Sequence, residues 1–120
     1  MKLAWTTLRV SDLEKSLDFY SNVLGLGPAM RLGTDAHRVV MLGAPEGVKL
    51  ELVWEAEPIP ENNGRGVSVG LIPDDLDAIV AFLREKGYAV TGPIAPDETI
   101  RFFFVPDPDG YTVQLVEQKH

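Results

Sequence analysis

Cysteine is absent from the chain. That removes disulfides, thiolate metal sites and a cysteine nucleophile at once. Histidine is nearly as scarce, with only His37 and His120. No run approaches the roughly 18 apolar residues of a membrane span. The opening Met1-Lys2-Leu3-Ala4-Trp5 lacks the apolar stretch and small-residue cleavage site of a signal peptide. No Lys/Arg cluster exceeds a pair and the net charge is -7, so nucleic acid would approach against the overall field. These absences predict a soluble, cytoplasmic protein with neither a membrane nor a nucleic-acid partner. The negative charge favours a cationic ligand mildly, and it also serves simply to keep the protein in solution.

What is present suits one ordinary globular domain. The chain has 120 residues, 45% of them hydrophobic and 24% charged, and two independently cored domains would each be very small. Residues 3–10 alternate loosely and are rich in strand formers. Ser11 then offers an N-cap, with Glu14 as its capping-box partner. Leu13, Leu17, Tyr20 and Leu24 recur at helical spacing until Gly25, Gly27 and Pro28 stop the helix. Short strands follow at 29–32, 37–42 and 48–54. The stretch 57–64, with two prolines, reads as a linker. Beyond it the order repeats: a strand at 66–72, a helix capped by Asp74 or Asp75 and ending at Gly87, then strands at 88–90, 100–105 and 111–117. The fold class is therefore α+β, one domain over 1–120. Module 1 covers 1–57, a linker 58–65 and module 2 66–120.

A shift of 63 positions makes the repeat concrete. Leu8 falls on Leu71, Asp12 on Asp75, Leu13 on Leu76, Phe19 on Phe82, Arg38 on Arg101, Gly47 on Gly110 and Leu52 on Leu115. One shift serves both the helix and the last strand. Each half is too small to bury its sheet face well alone, so the halves are read as two βαβββ modules sharing a core.

Two motifs carry a family resemblance. Leu8-Arg9-Val10-Ser11-Asp12-Leu13-Glu14-Lys15-Ser16-Leu17-Asp18-Phe19-Tyr20, followed by Val23-Leu24-Gly25, resembles the opening of glyoxalase I. Phe104-Val105-Pro106-Asp107-Pro108-Asp109-Gly110-Tyr111 and the strand after it resemble that enzyme's closing motif, and Leu50-Glu51-Leu52 its first carboxylate-bearing strand. The chain is thus similar to the vicinal oxygen chelate superfamily, which includes glyoxalase I, bleomycin resistance proteins and extradiol dioxygenases. The resemblance implies a curved mixed sheet around a cleft, helices on the outer face, and a homodimer.

It also implies a site. The family's four metal ligands, usually His or Gln, Glu, His and Glu, match Trp5, Glu51, Ser68 and Gln114. The repeat independently pairs Trp5 with Ser68 and Glu51 with Gln114. A transition metal here needs imidazole or carboxylate donors. Trp5 offers only an N–H, Ser68 is a weak neutral ligand, and Gln114 brings no charge. No metal of the family type is therefore expected. Glu51 is the sole catalytic candidate, and equally reads as a solvated charge on an open sheet face.

Period-two geometry places Thr7 and Arg9 beside Trp5, Val53 and Glu55 beside Glu51, and Leu50, Leu52, Trp54, Val67, Val69, Leu71, Val113 and Leu115 on the opposite, apolar faces. Arg9 matches a residue that contacts a glutathione carboxylate in glyoxalase I, and reads alternatively as a solvated strand end. Glu55 stands where that enzyme has a glutathione-contacting asparagine and would repel the anionic tripeptide. Trp5 either stacks on a planar or cationic ligand or fills space left by the lost ligands. His37 is expected at the surface, and His120 is a chain end.

The expected function is binding of a small organic molecule in the cleft, without cofactor, by Trp5, Thr7, Arg9, Glu51, Val53, Glu55, Ser68 and Gln114. The alternatives are a lactoylglutathione lyase-like lyase or isomerase using zinc or nickel, and a non-catalytic structural or interaction dimer.

Overall fold

A computed structural model describes residues 1–61 and 63–119; His120 and the linker residue Asn62 lie outside the described residues. The chain divides into two compact units, Met1–Asn63 and Gly64–His120. Each unit has the same order. In the first, β1 (Trp5–Arg9) leads to α1 (Leu13–Leu17), whose last turns widen into π-helical geometry over Asp18–Val23, then to β2 (Ala29–Gly33), β3 (His37–Leu42) and β4 (Lys49–Glu55). In the second, β5 (Ser68–Leu71) leads to α2 (Leu76–Glu85), β6 (Thr91–Asp97), β7 (Ile100–Pro106) and β8 (Thr112–Gln118). The sheets run β1-β4-β3-β2 and β5-β8-β7-β6. Both are mixed, because β1 is parallel to β4 and β5 to β8 while the other pairs are antiparallel. The two βαβββ modules read from the sequence are what the chain forms.

Each sheet carries its helix on one face, and alternation decides which residues reach it. In the first unit Leu8, Val40, Leu42, Leu50 and Leu52 are buried together with Leu13, Phe19 and Tyr20 of the helical segment, and α1 packs on β4. Phe19 and Tyr20 meet edge to face at 5.1 Å. In the second unit Leu76, Val80 and Leu83 of α2 are buried, as are Phe103, Val105, Val113 and Leu115 of the sheet. Four of the residues assigned to the apolar faces reach them incompletely, Val69 and Leu71 of β5 being only half-buried. Trp54 is only half-buried, its ring covered by the Arg38 guanidinium at 4.7 Å. Val67 precedes β5 and is exposed.

Both helices start on an aspartate. Asp12, not Ser11, is the N-cap of α1, its carboxylate accepting the Lys15 N–H at 3.1 Å. Asp75 does the same for α2, accepting the Ala78 N–H at 3.0 Å. A cap needs extended backbone so that its side chain can fold back on the third residue, and Asp12 has it, with φ -140° and ψ 102°.

The strand expected at 88–90 is also corrected. Those residues are irregular, and the strand is β6, which contains Pro93 and Pro96. Proline is tolerated there because β6 is an edge strand whose pairing with β7 shifts register twice.

Arg101 ties α2 to its sheet. Its guanidinium binds both Asp77 oxygens, at 3.0 and 2.9 Å, and both Glu117 oxygens, at 3.1 and 3.2 Å. Hydrogen bonds from Arg101 hold the Asp77 and Glu117 carboxyls below their ordinary values of 3.8 and 4.5. A carboxyl with a depressed folded-state pKa stabilises the fold above its unfolded pKa and ceases to do so as pH falls through the folded one. Arg101→Met is therefore expected to destabilise the protein at neutral pH, with the difference from the unsubstituted protein shrinking as the pH drops below about 4. Urea midpoints measured across that range check it; a gap that persists in strong acid would mean Arg101 acts by packing alone.

Candidate functional site

The face of the first sheet opposite the helix carries Trp5, Thr7, Arg9, Glu51, Val53 and Glu55, and register sets β1 beside β4. Thr7 lies beside Glu51 and Arg9 beside Val53, while Trp5 lies beside Lys49. Thr7 Oγ1 donates to Glu51 Oε1 at 2.7 Å. Among the described residues Thr7 is the only side-chain hydrogen-bond partner of that carboxylate, and its second oxygen has none.

This face is more apolar than the sequence suggested. Met41 is opposite Glu51, Val39 opposite Val53, Met30 opposite Met41 and Leu32 opposite Val39. Val53 does not line an open surface; it is buried in a small cluster with Val39 and Met41. A pocket of about 730 Å³ opens beside that cluster, with Trp5, Met30, Leu32, Met41, Val48 and Glu51 among its walls. Its size suits a drug-sized molecule. Trp5 is 53% exposed, so its ring is a wall of the pocket and not a buried plug.

Glu55 is not the unshielded charge that its position implied. Arg9 Nη1 lies 3.4 Å from one of its oxygens and His37 Nδ1 2.9 Å from the other. Arg9 Nη2 also donates to the Glu57 carbonyl at 3.1 Å. His37, expected at the surface, is exposed but faces the same side as Glu55, its register partner. That placement depends on the β2–β3 turn, where Gly33 has φ +89° and a Cβ would collide with the His37 carbonyl oxygen.

In the second unit Ser68 lies beside Thr112 and Gly70 beside Gln114. Phe104 is opposite Gln114 and Phe102 opposite Val116, whereas Phe103 is opposite Leu115 and buried. The continuous aromatic run is thereby resolved: Phe103 is core, and Phe102 and Phe104 meet edge to face at 5.4 Å on the Gln114 side. Beside Gln114, Gly70 leaves open space where a side chain would stand.

The donor chemistry of these positions does not fit a family-type metal. Glu51 supplies the only carboxylate among Trp5, Glu51, Ser68 and Gln114, and one of its oxygens already accepts from Thr7. Among the described residues no three of His, Cys, Asp or Glu gather where a metal ion could be held. The nearest approach to such a pair, His37 with Glu55, is bound up with Arg9.

Sequence reasoning missed Met30, Leu32 and Met41. The signal available was their alternation at even or odd spacing along β2 and β3, but the strand ends and register needed to choose a face were not in it. Among the described residues no helix is long and apolar enough to cross a membrane.

Comparison with known proteins agrees with this architecture. The model of the Glyoxalase/Bleomycin resistance protein/Dioxygenase superfamily matches residues 2–115. A lactoylglutathione lyase of Neisseria meningitidis is 34% identical over 128 residues, covering 99% of this chain and 92% of that protein. The solved structure of a glyoxalase/bleomycin resistance protein from Streptomyces sp. CB03234 is 34% identical with a TM-score of 0.71, covering 98% of this chain and all of that one. TnmS3, an antibiotic binding protein from the same Streptomyces, is 32% identical with a TM-score of 0.74, covering 100% and 97%. With its two βαβββ modules and a match along nearly its whole length, the chain belongs to the glyoxalase/bleomycin resistance protein/dioxygenase superfamily.

Proposed function

We propose that the protein binds a small organic molecule on the inner face of its first module, without the transition metal that the family's enzymes use. The observation that carries this reading is the coexistence of a donor-poor set, Trp5, Glu51, Ser68 and Gln114, with an apolar pocket walled by Trp5, Met30, Leu32 and Met41. Lyase chemistry of the glyoxalase type moves a proton while an electrophile stabilises the developing oxyanion. Glu51 could serve as the base, but Gln114 cannot, and Trp5 and Ser68 supply no cation-binding pair.

Identity does not decide between the two activities, because a lyase and an antibiotic binding protein are about equally similar to the chain. The lyase or isomerase reading with zinc or nickel is the second candidate, favoured by the name shared among the curated relatives. Binding is proposed to take place in the cytoplasm and in a homodimer, as the family pattern suggests.

Metal analysis of the protein purified without chelators tests the reading. Zinc and nickel well below one equivalent are expected. Near-stoichiometric metal would transfer the preference to the lyase.

A further inference from the structure

The pocket of the first module contains more cationic groups than it can present. Lys49 lines it, yet its ammonium is turned onto the loop, donating to the Pro45 carbonyl at 3.0 Å and the Gly47 carbonyl at 3.1 Å. That diversion has two effects. The loop that supplies Gly47 and Val48 to the pocket wall is fastened in place. The ammonium is also satisfied by neutral acceptors, so it is not paired with Glu51.

Glu51 is left in the opposite condition. One oxygen is oriented by the Thr7 hydroxyl, the other has no hydrogen-bond partner among the described residues, and Glu51 shares the pocket lining with Trp5, Met30, Leu32 and Met41. Lys2 and Glu46, both exposed, also line the pocket and carry opposite charges. A carboxylate beside apolar walls attracts a cation more strongly than one in bulk water, and Trp5, half exposed, offers a ring face of the kind that binds cations and flat rings.

From this arrangement we infer that the pocket selects flat, apolar ring systems bearing a protonated amine, with Glu51 Oε2 receiving the ammonium and Trp5 lying against the ring. The inference rests on the small-molecule reading above and adds the ligand's charge and shape. Anionic ligands of the same ring bind more weakly, since Glu51 repels them and the Lys49 ammonium is held by the Pro45 and Gly47 carbonyls. Thr7 is a positioning residue: it fixes the carboxylate so that the open oxygen points into the pocket.

Three probes with one ring test it: 2-naphthylmethylamine, 2-naphthylmethanol and 2-naphthoate. The chain's methionines are Met1, Met30 and Met41, so methyl-labelled methionine gives two reporters inside the pocket and one at the terminus. Titrations at 0.15 M salt screen the long-range field of the whole protein. The amine is expected to shift Met30 and Met41 and to bind roughly tenfold more tightly than the alcohol, as a charge-assisted hydrogen bond would give. The carboxylate binds weakest.

Glu51→Gln keeps the side chain's shape. It is expected to reduce the amine's advantage to about twofold while leaving the alcohol's affinity unchanged within error. Thr7→Val is expected to reduce the advantage in part, without moving the alcohol. Equal binding of amine and alcohol, or an amine preference that survives Glu51→Gln, would overturn the inference while leaving small-molecule binding intact. If no probe moves the Met30 or Met41 methyls, or if these move only with protein concentration as a second copy covers the pocket, the small-molecule reading fails with it.

Discussion

Trp5→His, Ser68→His and Gln114→Glu, introduced together, are expected to raise zinc or nickel affinity by about three orders of magnitude. Each change replaces a group that cannot hold a divalent cation with one that can. An indole N–H becomes an imidazole nitrogen, a short hydroxyl becomes a second imidazole, and a neutral amide becomes a carboxylate. Glu51 already carries the carboxylate at one of the family's four ligand positions, and Thr7 orients it without occupying both oxygens. Calorimetric titration reads the gain directly, and the single variants calibrate it. Trp5→His alone leaves only one new nitrogen beside one carboxylate and should bind metal weakly. If the triple variant gains nothing, the four positions do not share a site and the residue correspondence with the family's ligands is misplaced.

Leu52→Ala is expected to cost about 2–5 kcal/mol of stability, whereas Glu51→Ala, one residue earlier on the same strand, should cost under about 1 kcal/mol. Leu52 has no exposed surface and lies with Leu8, Val40, Leu42 and Leu50 under the helical segment. Removing its branch leaves a cavity that close-packed neighbours can only partly refill. Glu51 points to the other side, where its one side-chain hydrogen bond among the described residues is to the Thr7 hydroxyl. Chemical denaturation of the two variants therefore measures the alternation that puts a rigid core behind β4 and a recognition surface in front of it. Equal losses would mean that the faces are assigned wrongly. The contrast also separates stability from function: Glu51→Ala should leave the fold intact while removing the carboxylate beside Thr7.

Much of this was legible in the residues because duplication prints the same instruction twice. The 63-position shift carries β4 (Lys49–Glu55) onto β8 (Thr112–Gln118) and β3 (His37–Leu42) onto the first six residues of β7. Two errors arose where local chemistry was read ahead of the repeat. Ser11 looked a sound cap, yet the shift pairs Asp12 with Asp75, and both are the caps. Similarly, β2 shifted by 63 falls on 92–96, within β6, whereas the strand was expected at 88–90. Proline is excluded from central strands, not from an irregular edge.

The site was legible in part. The alternation of β4 places Glu51 and Leu52 on opposite faces, since period two requires only the strand itself. What β2 and β3 contribute could not be read the same way. Met30, Leu32 and Met41 reach the pocket through cross-strand register, which depends on where two turns begin and end. The pairing of Glu55 with both Arg9 and His37 was hidden for the same reason: it links three strands, and only register brings them within 3.4 Å.

Crystals of the unsubstituted protein soaked in zinc or nickel, with anomalous diffraction recorded at the metal edge, test the central claim most directly. The donor set predicts no ordered metal at Glu51 and Gln114. An anomalous peak lying about 2.0–2.2 Å from oxygens of both residues would contradict it and return the protein to metal-dependent chemistry.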